Sequence, residues 1–166
     1  VKILITGLTG MLGMDLAAVL QEKYIVYGIA SGNKTHPGLY FSDHLRNADI
    51  TDRRRLKAVI REIRPSVIIH TAAFVNVDGC ETDREQAKKI NIIGTENIAK
   101  IAEEISSTLI FISTDYVFNG EQKAPYKESD KACPLNYYGY TKKKAEEYIA
   151  KECAQYIILR SSWLYG

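Results

Sequence analysis

Apolar positions recur along this chain in two alternating periods. Val1–Thr6 is a short, β-branched apolar run that reads as a buried strand. Leu12, Leu16 and Leu20 then fall at helical spacing, so a helix is expected from Met11 to Leu20. Tyr24–Ala30 is a second strand, and residues 31–40, with Gly32, Asn33, Pro37 and Gly38, read as loop. A short third strand is expected over Leu45–Asp49. Thr51 is the expected N-cap of a helix whose apolar face is Leu56, Val59, Ile60 and Ile63, and Pro65 ends it. Ser66–His70 is the next strand. Ala87, Ile90, Ile98, Ile101 and Ile105 keep one helical phase from Arg84 to Ile105. Thr108–Ser113 is a strand, 119–134 a loop, Tyr137–Lys151 a helix capped by Asn136, and Tyr156–Arg160 a final strand.

Strands that alternate with helices predict a parallel sheet covered on both faces, the doubly wound α/β class. In such sheets ligands lie beyond the carboxyl ends of the strands. The residues that end strands are therefore the candidates for function: Gly7, Ala30, 70–73 and 113–115.

The first strand runs straight into Gly7-Leu-Thr-Gly10-Met-Leu-Gly13, and that turn opens the first helix. Gly7 permits the tight turn, Gly10 lets backbone approach a pyrophosphate, and Gly13 lets helix and strand pack closely. The helix N-terminus adds free N–H groups and a positive dipole end. The spacing is G-x-x-G-x-x-G and not G-x-G-x-x-G, so a plain glycine-rich turn is the alternative. The 166 residues make one domain, with 46% apolar and 25% charged content. A net charge of +2 gives no argument for nucleic acid or an anionic membrane. No apolar run approaches the ~20 residues of a membrane span. Cys80, Cys133 and Cys153 are scattered and odd in number, which fits reduced, cytoplasmic thiols. His36, His44 and His70 stand in no ligand spacing to them, so no metal is expected.

The chemistry-bearing residues are Thr114, which ends the fifth strand, and Tyr138 and Lys142, which open the following helix. Four residues apart, Tyr138 and Lys142 share a helix face, and Ala145 and Ile149 continue it toward the sheet. A phenol beside an ammonium suits the reduction of a carbonyl, where a proton goes to the developing alkoxide. The ordinary tyrosine pKa lies about three units above neutrality, a mismatch of roughly 4 kcal/mol. The ammonium is expected to lower it. Thr114 can hold the same carbonyl oxygen. Tyr140 and Lys144 repeat the spacing, but their face carries Lys143, Glu147 and Lys151 and reads as solvated.

These motifs together resemble the extended short-chain dehydrogenase/reductase superfamily. Ser113-Thr-Asp-Tyr-Val-Phe118, Pro134-Leu-Asn-x-Tyr138-Gly-x-Thr-Lys142, Arg160-Ser-Ser-Trp163-Leu-Tyr-Gly166 and Val77-Asp78-x-Cys80-Glu81 are similar to its dTDP-4-dehydrorhamnose reductases. The resemblance implies a Rossmann fold and Thr114, Tyr138 and Lys142 as the catalytic set. It implies cofactor contacts from Gly7, Gly10, Met11 and Leu12, from Asp49 and Ile50 near the adenine, from Thr71, Ala72 and Ala73, and from Tyr138 and Lys142. It implies a nucleotide-sugar substrate, touched by Thr114, Asp115 and Trp163. Members of that family continue well past the position of Gly166, into the part that supplies much of the substrate pocket. Residues 1–166 are thus expected to be the NAD(P)-binding domain at the N-terminal end of a longer chain, and a homodimer stays open. Thr114 is followed by Asp115-Tyr116 and not by an Asp-Glu pair, which favours reduction over dehydration. A nucleotide-sugar epimerase, and a cofactor-binding regulatory subunit resembling the β subunit of methionine adenosyltransferase, remain as alternatives.

About 20 residues past the glycine turn, an NAD site usually places an acid on the ribose. Here the chain reads Ala30-Ser-Gly-Asn-Lys34. Ser31 and Lys34 are expected to hold a 2′-phosphate, so NADP is the expected cofactor, with NAD also possible.

Overall fold

The computed structural model describes residues 1–32 and 42–165. Six strands form one parallel sheet: β1 (Lys2–Thr6), β2 (Ile25–Ala30), β3 (Leu45–Asn47), β4 (Val67–His70), β5 (Thr108–Thr114) and β6 (Tyr156–Ser161). Their order is β3-β2-β1-β4-β5-β6, with every neighbouring pair parallel. The order reverses between β1 and β4, and that switch point opens a crevice at the carboxyl ends of both strands.

The helices follow the expected faces. α1 (Met11–Leu20) packs Ala17, Leu16 and Leu20 on one side of the sheet, against Ile3, Ile5, Val26 and Ile69. α2 (Arg53–Ile63) buries Leu56, Val59, Ile60 and Ile63 on the other side. There it joins Ile98, Ile101 and Ala102 from α5 (Thr95–Glu104) and Ala145 and Ile149 from α6 (Tyr137–Glu152). Each fully buried aliphatic side chain contributes about 1.5–3 kcal/mol, so this larger layer carries most of the hydrophobic drive. Among the described residues, three helices thus cover one face and α1 covers the other. Ile110 and Ile112 of β5 are only partly buried on the α1 side. Their register partners Ile157 and Leu159 are each 48% exposed. Among the described residues, no helix is long and apolar enough to cross a membrane.

Three sequence expectations need correction. The N-cap of α2 is Asp52, not Thr51: its carboxylate accepts the Arg55 N–H at 3.0 Å, and a charged acceptor suits the positive helix end better than a hydroxyl. The Thr51 N–H goes instead to Asp49 Oδ1 at 2.8 Å. β3 stops at Asn47, after pairing Leu45–Asn47 with Gly28–Ala30. The stretch 84–105 is not one α-helix. A short α3 (Val77–Thr82) precedes it, and α4 (Arg84–Ala87) passes through a π-helical segment, Lys88–Gly94, into α5.

Candidate active site

A cleft of about 620 Å³ lies along the carboxyl ends of the strands, within the usual size of a small-molecule site. Its floor at β1 is the glycine turn. Gly7 has φ +73°, and a Cβ there would come within 2.9 Å of the Ala72 backbone. A Cβ at Gly13 would meet the Gly7 carbonyl at 2.4 Å, so α1 sits close against the turn. Gly10 caps α1 without a side-chain hydrogen bond, and the first intrahelical bond is Met14 N–H to Gly10 O. The N–H groups of Met11, Leu12 and Gly13 are therefore free of intrahelical partners and belong to the cleft wall.

The other strand ends complete the wall. Ser31 is exposed after β2 and lines the cleft, as do Asp49 and Ile50 after β3 and Thr71, Ala72 and Ala73 after β4. Lys34 lies outside the described residues. Asp115 and Trp163 line the same cleft, and Trp163 is 70% exposed within residues 1–166. Sequence reasoning passed over Ala48, Ile90, Tyr116, Ser161, Ser162 and Leu164, which also line it. Strand-end position carried a signal for Ala48 and Ser161. None existed for Ile90, whose place depends on the π-helical segment.

Thr114, Tyr138 and Lys142 meet at the β5 end of the cleft. Asn136 fixes the first turn of α6 by accepting the Gly139 N–H at 2.7 Å, and Glu81 of α3 accepts the Tyr137 N–H at 2.6 Å. From that start, Tyr138, Lys142, Ala145 and Ile149 face the sheet. Lys142 is 3% exposed; its Nζ donates to the Ile112 carbonyl at 2.7 Å and lies 4.0 Å from the Phe111 ring centroid. Tyr138 is half-buried, edge-on to Tyr116 at 6.1 Å. The second pair behaves as its charged face demands: Tyr140 is 40% exposed and stacks on Tyr137, while Lys144 pairs with Glu147 at 2.8 Å.

The electrostatics correct one expectation. Burial pushes the Tyr138 phenol above its ordinary value, opposed by a hydrogen bond with Thr114, and Lys142 is not among the influences on it. Burial also pulls Lys142 down to about 7, with the charge of Glu146 opposing that fall. Desolvation therefore outweighs the tyrosine–lysine pairing that the sequence suggested, because Lys142 points along β5 toward Ile112.

Behind the cleft runs a buried chain of hydrogen bonds. Thr95 Oγ1 donates to the Asn91 carbonyl at 2.7 Å, so it accepts from His70 Nε2 at 3.0 Å. His70 Nδ1 is then the acceptor for Thr6 Oγ1 at 2.6 Å. Burial, and secondly the Lys142 charge, push His70 down to about 3, so it is neutral. Asn91, in the π-helical segment, clamps both backbone groups of Phe74, at 2.7 and 3.0 Å, and donates to Thr141 Oγ1 at 3.0 Å. Thr141 in turn donates to the Tyr138 carbonyl at 2.7 Å. β1, β4, the π-helical segment and α6 are tied together behind the candidate residues.

The family model described as RmlD substrate binding domain matches residues 1–166. The chain belongs to this family. Among curated relatives, the dTDP-4-dehydrorhamnose reductase of Escherichia coli (strain K12) is 35% identical over 165 residues, covering 99% of this chain and 52% of the relative. A dTDP-4-keto-6-deoxy-D-glucose reductase of Streptomyces niveus is 34% identical over 164 residues, covering 98% and 52%. The crystal structure of dTDP-4-dehydrorhamnose reductase from Bacillus anthracis str. Ames in complex with NADP superposes with a TM-score of 0.86. It shares 35% identity over 99% of this chain and 54% of that one. The chain thus spans about half the length of the RmlD-family relatives it matches.

Proposed function

We propose that residues 1–166 are the cofactor-binding domain of an NADPH-dependent reductase. Its substrate is the 4-keto group of a nucleotide sugar, with dTDP-4-dehydrorhamnose going to dTDP-rhamnose. One observation carries the reading: Thr114, Tyr138 and Lys142 line the same cleft as the glycine turn and the free N–H groups of Met11 and Leu12 that open α1. That cradle fits a dinucleotide pyrophosphate. Met11 and Leu12 N–H groups would hold it against the dipole end of α1. Asp49 and Ile50 would border the adenine, and Thr71, Ala72 and Ala73 the middle of the cofactor. Ser31, with Lys34, would take the 2′-phosphate. Bound there, NADPH supplies the hydride.

The chain's own residues then position and polarise. Thr114 Oγ1 hydrogen-bonds the keto oxygen and orients it. Tyr138 Oη delivers the proton as that oxygen gains charge. Lys142 would hold the cofactor's ribose, and its ammonium would stabilise the phenolate only after turning from the Ile112 carbonyl toward Tyr138. Burial holds Lys142 near 7, so its charge would change close to neutral pH and the rate of reduction with it. Asp115 and Trp163 would contact the sugar nucleotide.

The test is NADPH and NADH consumption by the complete protein with dTDP-4-dehydrorhamnose, with both cofactors titrated. Turnover with tighter NADPH binding is expected. Bound NADPH without turnover of this sugar or its 4-keto epimers favours a regulatory role. Clearly tighter NADH binding overturns the cofactor assignment.

A further inference from the structure

Four residues past Lys142, one turn along α6, Glu146 is 6% exposed and does not line the cleft. Its carboxylate gathers three groups. Oε1 accepts from Ser113 Oγ at 2.5 Å and from Arg160 Nε at 3.1 Å, and Oε2 accepts from Arg160 Nη2 at 2.7 Å. Arg160 Nη1 continues to the Glu128 carbonyl at 3.3 Å, and the guanidinium lies 5.0 Å from the Phe118 ring centroid. Each anchor adjoins a candidate site residue. Ser113 precedes Thr114. Arg160 opens the run to Trp163. Glu146 shares its helix with Tyr138 and Lys142. A buried ion pair is a weak source of stability, since apolar replacement is often neutral or stabilising. Two cations, Lys142 and Arg160, flank this one carboxylate, and its charge is what opposes the desolvation of Lys142.

We infer that Glu146 is a positioning residue of the site: one buried carboxylate joins the strand end bearing Thr114, the strand end leading to Trp163 and the helix bearing Tyr138 and Lys142. The inference rests on the reading of Thr114, Tyr138 and Lys142 as the reducing set. Glu146 acts through those residues and touches neither substrate nor cofactor. Its geometry sets where the strand ends lie, and its charge keeps Lys142 an ammonium over more of the pH range. Glu146→Gln keeps the shape and an acceptor for Ser113. It removes the charge and leaves Arg160 unpaired on the same side of α6, and both changes drive Lys142 toward its neutral form.

The experiment is a pH profile of kcat for NADPH-dependent reduction of dTDP-4-dehydrorhamnose by the complete protein. Thermal midpoints are measured alongside. The variants are Glu146→Gln, Glu146→Asp, Ser113→Ala and Lys142→Met. In Glu146→Gln, the limb on which rate falls with rising pH is expected to move about one unit toward acid. The loss is then about tenfold above the limb and small below it. Glu146→Asp, which keeps the carboxylate, restores most of the limb. Ser113→Ala lowers kcat about tenfold at every pH without moving the limb. An unmoved limb in Glu146→Gln, with only a lower thermal midpoint, assigns Glu146 a structural role and overturns the inference. If Glu146→Gln does not fold, Ser113→Ala decides, and an unchanged kcat overturns the inference. Parent-like turnover in Lys142→Met refutes the underlying reading and this inference together. Lys142→Met dead with the Glu146→Gln limb unmoved refutes this inference alone.

Discussion

Tyr138 and Tyr140 differ by two positions on one helix, which is about 200° of rotation. The structure turns the first to the sheet and the second to solvent. In the complete protein, Tyr138→Phe keeps the ring's packing and loses the proton donor, so kcat should fall by roughly 10²–10⁴. Tyr140→Phe should change kcat by less than about twofold; steady-state reduction by the two variants side by side checks both. Trp163→Ala should raise the KM for the sugar nucleotide and leave cofactor affinity nearly unchanged, since the side chain lines the cleft at its substrate end; a large loss of thermal stability without a KM effect would make it a core residue. His70 gives a prediction in pH. Its folded pKa is depressed to about 3, below its unfolded value of about 6.5. The stability that follows from its neutrality is complete above about pH 6.5 and is lost as pH falls toward 3, at about 1.4 kcal/mol per unit. Denaturant titrations over that range should show the slope, and His70→Gln should flatten it. At this scale the sequence showed which residues share a face, because helix phase is periodic. It did not show their acidity. The pKa of Tyr138 and Lys142 depends on how deeply tertiary packing buries them, and no spacing rule reports that.

Strand and helix order were legible because each buried element carries its own period, 2 or 3.6. The π-helical segment was not. Ala87, Ile90, Ile98 and Ile101 keep an α-helical phase in the sequence, yet the backbone from Lys88 to Gly94 is π-helical, with hydrogen bonds that reach five residues along the chain and not four. What fixes the segment is long-range: Asn91 must reach the Phe74 backbone and Thr141 at once. Asn91→Ala should therefore cost about 1–3 kcal/mol. It strands a partly buried N–H at Phe74, leaves the Phe74 carbonyl with Cys80 Sγ as its donor, and removes the bond to Thr141 under Tyr138. Urea denaturation measures the cost, and a loss under about 1 kcal/mol would mean that water replaces the amide. α3 was also missed, for it is six residues long and too short for a helical period. Its role shows only in space, where Glu81 holds the first turn of α6.

As a whole, the described residues are covered unequally. Among them, Ile110, Ile112, Ile157 and Leu159 form an open apolar half-face beside α1, and β6 is the last strand of the sheet. Residues 1–166 taken alone should bind a hydrophobic dye and associate as concentration rises. Ile157→Lys with Leu159→Lys should weaken both effects in sedimentation and fluorescence measurements; persistence of association would place it on another surface. The parallel sheet has one more consequence. With all six strands running one way, every cleft residue sits on a single rim. β1 and β5, five and seven residues long, set the opposite rim about 17–23 Å away. Lys23, exposed just ahead of β2, lies on that far rim. Tethered there to a sensor chip, the protein would present its cleft to the flowing solution, and ligand binding would be read without the support in its way.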